Sequence, residues 1–413
     1  MRILLLTAYF PPDTGSAAHL FYELGTVLVE RGHQVTVVTG MPGYHAQGSL
    51  ERYQGQRRVE EVVNGMDVVR VATPRRSSDS LVGRALWQFG GAFAFFQAGR
   101  RLPPHDVAML YSPPLPLGLS AWGLRRVKGV PFVLNVQDLF PQSIIDLGLL
   151  NNPLIIRVFE TMERFIYARS PRITVHSPGN RDHVVGKGAD RERVAVVPNW
   201  VDTDFIQPGE RMNGFRKEHD LGDDFVVSFA GVLGYSQDLD VVLEAAGRVP
   251  DDADITWLIV GDGVEKARLE EKARSMGLDS VRFLPMQPRD RYPAVLHASD
   301  VGLATLHADV KTPVVPSKIL SIMASGRPVV AALNLEGDAP RLIEEADCGV
   351  CLPPEDPQAL AGAVMELYRD AELRETFGRR GRRYAETELS LNACVDRYEE
   401  LLSEIALTSS PGE

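Results

Sequence analysis

The first half of the chain alternates short, almost wholly apolar runs with longer segments of helical spacing. The apolar runs are RILLLTAYF, QVTVVTG, MDVVRVAT, DVAMLYS, PFVLNVQDLF and RITVHSPG. Strands that are buried on both faces show such continuous apolarity, because both sides of the sheet are covered. Between the first two runs, residues 18–30 have helical spacing, and Gly32 ends that helix. Alternation of this kind predicts a parallel, doubly wound α/β sheet.

The second half restarts the same pattern after a junction over residues 171–205. DFVVSFAGVLG, DITWLIVGDG, VRFLPM and VGLATL are predicted strands, separated by helical segments. We therefore predict two Rossmann-like α/β domains that face each other across a cleft, formed by residues 1–204 and 205–384. The tail from Ala385 to Ile405 is predicted to be one amphipathic helix, and residues 385–408 are assigned to the first domain as a crossover helix.

The stretch DVKTPVVPSKILSIMASGRPVVAA, residues 309–332, is the most informative part of the second half. Its pattern predicts a loop, a helix, a second loop and a strand. Ser317 suits the N-cap, where a hydroxyl accepts from first-turn amides, and Gly326 suits the left-handed position after a helix. Lys318 would then lie at the positive end of a helix, where free N–H groups and an ammonium suit a diphosphate. The alternative is an ordinary surface lysine at a helix start.

Ligands of parallel sheets bind beyond the carboxyl ends of the strands. In the first domain, the loops at those ends contain Gly15-Ser16, Ser112-Pro113-Pro114 and Gln137-Asp138. A lone glycine loop is a weak signal, because most such glycines only permit a turn. Asp138 directly follows a predicted buried strand, and both a catalytic or orienting carboxylate and a helix N-cap fit that position.

An uncharged segment, Ala85 to Gly99, lies between two predicted strands of the first domain. Leu86, Phe89, Phe93 and Phe96 recur in it at roughly helical spacing, and Arg75, Arg76, Arg84, Arg100 and Arg101 flank it. The segment is too short to span a bilayer. A helix lying on an anionic membrane surface and an ordinary core helix both remain open.

Composition narrows the class of protein. At 413 residues, with 44% hydrophobic and 24% charged residues, the chain resembles a soluble globular protein of two domains. The apolar start is too short for a signal peptide and ends at Tyr9-Phe10-Pro11-Pro12. Three cysteines fit a reduced compartment. Cys348 and Cys351 have redox or zinc spacing but no second pair, so we interpret them as packing residues. We expect a cytoplasmic protein that can lie peripherally at the inner face of the cell membrane.

The charge is unevenly distributed along the chain. Residues 1–205 carry 22 Lys or Arg against 18 Asp or Glu, whereas residues 206–413 carry 22 against 37, which makes the halves +4 and −15. A mildly basic half beside an acidic one indicates different partners for the two halves. We expect no nucleic-acid partner, because no basic stripe is interleaved with aromatic residues.

Seven segments in this order resemble the retaining, family 4 nucleotide-sugar glycosyltransferases, which have the two-Rossmann GT-B fold. They are YFPPDTGSAAHLFYELGTVLVERGHQVTVVTG, NVQDLFPQS, VVPNWVDTDFIQP, FAGVLGYSQDLDVVLEAA, IVGDGVEKARLEEKA, VPSKILSIMASGRPVVA and EEADCGVCLPPEDPQALAGAV. The likeness covers nearly the whole chain. QDLFPQS and VPSK most resemble the branch that assembles bacterial surface polysaccharides, which includes N-acetylfucosaminyl-type transferases of O-antigen and capsule synthesis.

The resemblance implies a nucleotide-sugar donor, most simply a UDP-sugar, bound by the second domain. The donor-binding residues it implies are Gly15, Ser16, Gly231, Gly261, Leu284, Met286, Pro316, Ser317, Lys318 and Ile319. The first domain would bind a polyprenyl-diphosphate-linked or saccharide acceptor, with Asp138 near the reacting centre. Asp138 and Lys318 are the implied catalytic residues. Transfer would proceed with retention and without a cofactor or metal, because the helix dipole and the lysine stabilise the leaving diphosphate.

Two features of the family are missing from this sequence. The family's two glutamates, separated by seven residues, match Pro313 and Ser321, so their contact with the donor ribose cannot be carried over. Its basic residues after the first glycine of the second domain are replaced by Val232-Leu233 and Gln237-Asp238. Lys318 is the best-placed remaining cation. Poorer candidates are Lys311, Arg289 and Arg341.

Other functional classes share this architecture. A paralogue that has lost its chemistry and acts as a binding subunit is the main alternative, given the missing glutamates. A nucleotide-sugar epimerase would need an acid and a base that cannot be assigned, and a PLP-dependent phosphorylase is much longer. An NAD-linked dehydrogenase is disfavoured, because neither half has Gly-x-Gly-x-x-Gly. Asp202-Thr-Asp204 and Asp238-Leu-Asp240 have the letters of a metal motif, but we interpret them as a hinge and a helix start.

Overall fold

The computed structural model describes residues 1–13, 16–43, 50–74, 81–146, 148, 150–250, 252–311 and 313–408, without the side chains of residues 16–17 and 81–86. The chain divides into two compact units. The first comprises Met1–Pro198 and the chain from Cys394 onward, and the second comprises Asn199–Ala393. Each unit is built around one sheet with its own hydrophobic core.

The first unit contains an eight-stranded sheet of order β3-β4-β2-β1-β5-β6-β7-β8. Its strands are β1 (Arg2–Leu6), β2 (Gln34–Gly40), β3 (Arg58–Val63), β4 (Met66–Val71), β5 (Val107–Ser112), β6 (Phe132–Val136), β7 (Arg172–Val175) and β8 (Val194–Val196). All neighbours pair in parallel except β3 and β4. The apolar runs of β1, β5 and β6 lie at the centre, where helices cover both faces.

The helices of the first unit form two layers. They are α1 (Ser16–Glu30), α2 (Leu81–Arg101), α3 (Leu117–Lys128), α4 (Gln142–Asp146), α5 (Pro153–Arg169), α6 (Pro178–Gly186) and, from the end of the chain, α15 (Leu391–Thr408). Right-handed crossovers place α2, α3 and α5 on one face of the sheet and α1 on the other. The last helix packs on the α1 side, where Glu399 pairs with Arg31 at 2.7 Å.

The second unit repeats the architecture with a six-stranded parallel sheet of order β11-β10-β9-β12-β13-β14. Its strands are β9 (Phe225–Ala230), β10 (Ile255–Val260), β11 (Val281–Leu284), β12 (Val301–Thr305), β13 (Val329–Ala332) and β14 (Gly349–Leu352). Its helices are α7 (Gly214–Glu218), α8 (Asp240–Ala246), α9 (Lys266–Ser275), α10 (Tyr292–Ala298), α11 (Ser317–Ala324), α12 (Asp338–Ala346), α13 (Pro357–Arg369) and α14 (Ala371–Glu388). The prediction of two Rossmann-like α/β sheets is confirmed.

Two local features differ from the expectations. Strand β3 was not predicted, although Asn64-Gly65, with φ of 47° and 78°, is a strong hairpin signal. The predicted single helix over residues 385–405 is wrong, because α14 ends at Glu388 and α15 begins at Leu391. Within the described residues, no helix is both long and apolar enough to cross a bilayer.

Candidate functional site

Two glycines bring neighbouring loops together at the carboxyl edge of the second sheet. Gly231 follows β9 and Gly261 follows β10, and these strands are adjacent. The amide of Gly231 donates to the Val260 carbonyl oxygen at 2.9 Å. A Cβ at Gly261 would lie 1.9 Å from the Gly231 carbonyl oxygen, and Gly231 has a φ of 154° that side chains disfavour. Both glycines are therefore required for the close approach of the two loops.

Helix α11 begins at this edge, but Ser317 does not cap it. The residue before the first turn is Pro316, which has no side chain able to accept, and Ser317 is the first helical residue. The predicted N-cap is therefore wrong by one position. Among the described residues, nothing accepts from the amides of Ser317 and Lys318, whereas Ile319 donates to the Pro316 carbonyl at 3.0 Å. The start of α11 thus keeps unpaired N–H groups and the positive end of the dipole.

Lys318 lies in the first turn of α11 with its ammonium turned towards the β9 loop. Its Nζ is 3.6 Å from the centroid of the Phe229 ring and donates to Oε1 of Gln237. A Cβ at Gly231 would lie 3.7 Å from the same Nζ, so the glycine keeps space open there. Burial lowers the pKa of the Lys318 ammonium to about 7. A half-buried cation with a neutral partner is a site at which an anion is favoured.

Gln237 is a site residue that the sequence analysis noted only as a departure from the family pattern. Its backbone carbonyl accepts from Thr305 Oγ1 at the end of β12, and the amide of His307 donates to Ser236 O at 3.0 Å. The loop after β9 is therefore fixed to the neighbouring strand. The sequence offered one signal for Gln237. It follows the first glycine of the second domain, where the family places basic residues.

The remaining predicted donor residues divide into two groups. Leu284 and Met286 border the glycine loops, because Gly261 donates to Leu284 O at 3.0 Å and Met286 donates to Asp262 Oδ2 at 2.8 Å. The Met286 side chain is exposed. Ile319, by contrast, is fully buried in the core and its amide is already paired. Its side chain cannot reach a ligand, so we leave it out of the site.

The first unit has a cavity of about 700 Å³ beyond the carboxyl ends of β1, β2, β4 and β5. Four aromatic side chains, Tyr9, Tyr53, Trp87 and Phe95, line it, and the ring centroids of Tyr9 and Trp87 lie 6.4 Å apart. Asp13 and Gln88 supply polar groups, and Asp13 Oδ1 accepts from the Gly43 amide at 2.9 Å. Aromatic faces beside amide and carboxylate groups suit a polar organic ligand such as a sugar.

The other predicted residues of the first unit are only partly placed. Gly15 and the side chain of Ser16 lie outside the described residues. Asp138 follows β6 and is exposed, and it does not line the cavity. It does not cap α4 either, because that helix begins at Gln142. The pKa of the Asp138 carboxyl is raised, chiefly because surrounding protein desolvates it although part of the side chain is exposed, and His176 opposes the shift.

The alternative cations have other partners or are exposed. Arg341 lies 3.9 Å from the Asp338 carboxylate, Arg289 lies over the Phe205 ring at 5.4 Å, and Lys311 is exposed. Lys318 therefore remains the best-placed cation among the four.

The two Asp-x-Asp segments have structural partners. Asp202 Oδ1 accepts from the amides of Asp204 and Phe205 at 3.1 and 2.9 Å, and so stabilises a turn. Asp240 opens α8 and pairs with Lys272 at 2.6 Å. Within the described ranges, no three His, Cys, Asp or Glu side chains converge as a metal site would require.

The sequence matches two family models in succession. Residues 14–200 match the glycosyl transferase 4-like domain, and residues 212–384 match the glycosyl transferases group 1. The chain is 28% identical over 404 residues to the putative colanic acid biosynthesis glycosyl transferase WcaI of Escherichia coli (strain K12), covering 94% of this chain and 96% of WcaI. It is 27% identical over 297 residues to the probable glycosyltransferase WbjE of Pseudomonas aeruginosa, covering 71% and 74% of the two chains.

Solved structures show the same fold. Anabaena HepE, crystallised with UDP, superimposes with a TM-score of 0.74 at 18% identity, covering 98% of this chain and all of HepE. WaaG, a glycosyltransferase involved in lipopolysaccharide biosynthesis, gives a TM-score of 0.68 at 16% identity, covering 98% of this chain and all of WaaG. Because two glycosyltransferase models match in succession and WcaI matches almost end to end, the chain belongs to the family 4 glycosyltransferases with the GT-B fold.

Proposed function

We propose that this glycosyltransferase transfers a sugar from a UDP-sugar to a polyprenyl-diphosphate-linked or saccharide acceptor, with retention, during synthesis of a cell-surface polysaccharide. The proposed location is the cytoplasm, at the inner face of the cell membrane. The names of WcaI and WbjE support a role in polysaccharide synthesis. HepE, which has the same fold, was crystallised with UDP and with UDP-glucose.

The observation that carries the proposal is the environment of Lys318. Its ammonium lies at the start of α11, over the Phe229 ring and within hydrogen-bond reach of Gln237. Within the part of the chain that the structure describes, nothing accepts from the amides of Ser317 and Lys318, so the positive end of the helix dipole also lies there. A donor diphosphate would accept from these groups, and the leaving UDP would be stabilised by the same charge without a metal.

The cavity of the first unit is the proposed acceptor site. Its aromatic wall, with Tyr9 and Trp87, offers stacking faces for a sugar ring, and Gln88 and Asp13 offer hydrogen bonds to hydroxyls. Asp138 keeps its proposed place near the reacting centre. The leaving diphosphate can take the acceptor proton if Asp138 does not.

Thermal denaturation with nucleotides tests the donor proposal. A ligand that binds only the folded state raises the melting temperature by mass action. We expect UDP or a UDP-sugar to raise the melting temperature of the intact protein without added metal, and EDTA to leave the shift unchanged. A shift that requires magnesium or manganese would contradict the metal-free site. Lys318→Met tests whether the shift arises at the proposed site, and this variant should lose most of the rise in melting temperature.

The missing glutamates favour a second candidate function, a binding subunit that retains the donor site without turnover. Pro313 and Ser321 stand where the family has its two carboxylates. The two functions are separated by incubating the protein with UDP-sugars and a lipid-linked acceptor. Donor consumption with formation of a glycosylated lipid supports the transferase, whereas UDP binding without any product supports the binding subunit.

A further inference from the structure

Helix α2 has one side in the core and one side in solvent. On the core side of the helix, Ala92, Phe95 and Ala98 are buried. On the solvent side, Phe89 is 40% exposed and Phe93 is 64% exposed. The core-helix interpretation therefore holds for one side of α2, and the membrane interpretation stays a prediction for the exposed side. Phe96 does not belong to the exposed row, because it is half-buried and its ring would lie 3.0 Å from a Cβ at Gly123. Arg75 and Arg76 lie outside the described residues, as does the side chain of Arg84.

The helices α2, α3 and α5 form a closely packed layer on one face of the first sheet. Ser120 Oγ of α3 donates to the Ala92 carbonyl of α2 at 2.7 Å. On the other side of α3, the rings of Trp122 and Phe165 make an edge contact at 5.3 Å. We call the solvent side of this layer the α2–α3–α5 face.

Exposed apolar side chains concentrate on the α2–α3–α5 face. The described part of the first unit has seven large apolar side chains that are exposed, and five of them lie on these three helices. The five are Phe89, Phe93, Val127, Leu154 and Val158. Leu154 and Val158 are 71% and 54% exposed and are separated by one turn on α5. Single exposed apolar side chains are normal on a protein surface, whereas several on one face indicate an interaction site.

The same helices are strongly basic in a chain whose net charge is −11. Together α2, α3 and α5 contain nine Arg or Lys and two acidic residues, both on α5. Glu163 is fully buried, and Glu160 pairs with Lys187 at 3.0 Å and Arg164 at 3.7 Å. Basic residues in the last helical turns also balance the helix dipoles, but that does not account for the exposed Phe93 or Leu154.

We propose that the α2–α3–α5 face binds the surface of an anionic lipid bilayer. Phe89, Phe93, Leu154 and Val158 would enter the interfacial layer, and the arginines would contact lipid phosphates. A second copy of the chain is a poorer occupant, because two equally basic faces repel each other. This proposal does not depend on the transferase reaction, since binding to the bilayer can be measured without donor or acceptor.

Co-sedimentation of the full-length protein with vesicles tests the proposal. We expect binding to vesicles of phosphatidylcholine mixed with phosphatidylglycerol, and little binding to phosphatidylcholine alone. Phe89→Ser combined with Phe93→Ser should weaken binding about tenfold, because two exposed rings lose their apolar burial. The matched control is Val62→Ser, because Val62 is 70% exposed on β3, outside the α2–α3–α5 face. Circular dichroism checks that each variant is folded.

Charge provides the second arm of the experiment. Arg100→Gln and Arg157→Gln should each weaken binding to the anionic vesicles about fivefold at low salt, and high salt should weaken binding of the wild type. Arg57→Gln, an exposed arginine that precedes β3, is the control and should have no effect. Equal binding to neutral vesicles, equal losses in target and control variants, or self-association through this face without vesicle binding would each overturn the proposal.

Discussion

At the residue scale, Lys318 carries the proposed donor site, so its replacement should separate binding from folding. Lys318→Met keeps an unbranched side chain over the Phe229 ring but removes the charge. Losing a charged hydrogen bond to a phosphate weakens binding by roughly 1.5–3 kcal/mol, or about 12- to 140-fold. We expect that loss in UDP affinity by calorimetry, with an unchanged circular dichroism spectrum. Near-normal affinity would move the role to Lys311, Arg289 or Arg341.

The depressed pKa of Lys318 predicts a pH dependence of stability. Burial lowers its pKa to about 7 in the folded protein, whereas the pKa of an unfolded lysine is about 10.4. Between these values the unfolded chain binds more protons, so stability should rise with pH from about 7 to about 10.4. Conversely, the contribution is lost as pH falls through that window. The free energy of unfolding, measured with urea, should rise less steeply with pH in Lys318→Met than in the wild type. Identical slopes would contradict the assignment of this pH dependence to Lys318.

Gln237 should act on the donor through Lys318. Its Oε1 accepts from the ammonium, which favours the charged form, so Gln237→Leu should lower the pKa of Lys318 further. UDP affinity should fall about tenfold near neutral pH, and the pH at which affinity declines should move to a lower value. Restored affinity at lower pH would indicate positioning of a charge. A loss that is independent of pH would indicate only a damaged loop.

Only some of these residues could be predicted from the sequence. Lys318, Gly231 and Gly261 could be predicted as donor residues because charge at a helix start and glycine after a strand are local signals. Gln237 was missed as a partner, because its role arises only when the β9 loop folds back onto α11. Ile319 was wrongly included, since adjacency to Lys318 along the chain does not show that a helix turns that side chain into the core.

At the element scale, α14 supports the helix that carries Lys318. Gly378 of α14 packs against the end of α11, where an added Cβ would lie 2.2 Å from the Gly326 carbonyl oxygen. Nearby, Arg382 donates to Ala324 O at 2.7 Å and so satisfies a C-terminal carbonyl of α11. The position of the site helix therefore depends on an element far along the sequence.

Two glycine substitutions test that support. Gly378→Ala should destabilise the protein by roughly 1–3 kcal/mol through overpacking and weaken UDP binding. Gly362→Ala is the matched control, because Gly362 lies inside α13 with nothing within 4 Å of an added Cβ. There, helix propensity predicts a gain of about 0.5–1 kcal/mol. Denaturant unfolding of both variants measures the contrast, and similar changes in both would refute the supporting role of α14.

Most central elements were predictable because continuous apolar runs of strand length are local signals. The edges were not. Strand β3 is partly exposed and contains Glu60 and Glu61, so it lacks the apolar pattern and depends on its hairpin with β4. The break between α14 and α15 was hidden because the helical spacing of the tail continues through Leu389-Ser390.

At the scale of the whole molecule, the uneven charge predicts that salt affects two binding events to different extents. The α2–α3–α5 face binds through exposed arginines, which are screened beyond a Debye length of about 8 Å at physiological salt. The donor site instead places one half-buried ammonium in a half of the chain whose net charge is −15, from 22 basic and 37 acidic residues. Salt screens the attraction of UDP to Lys318, and it also screens the long-range repulsion of UDP by the acidic residues. The two effects on UDP affinity oppose each other.

Raising the salt concentration about tenfold should therefore weaken vesicle binding at least about tenfold, while changing UDP affinity less than about threefold. Calorimetry and co-sedimentation on the same preparation measure both responses, and Lys318→Met should weaken UDP binding without altering the vesicle response. If UDP affinity also fell tenfold, exposed cations such as Arg341 would have to carry the diphosphate. The different responses would show that a basic surface and a desolvated lysine bind their ligands independently, although both ligands present phosphate.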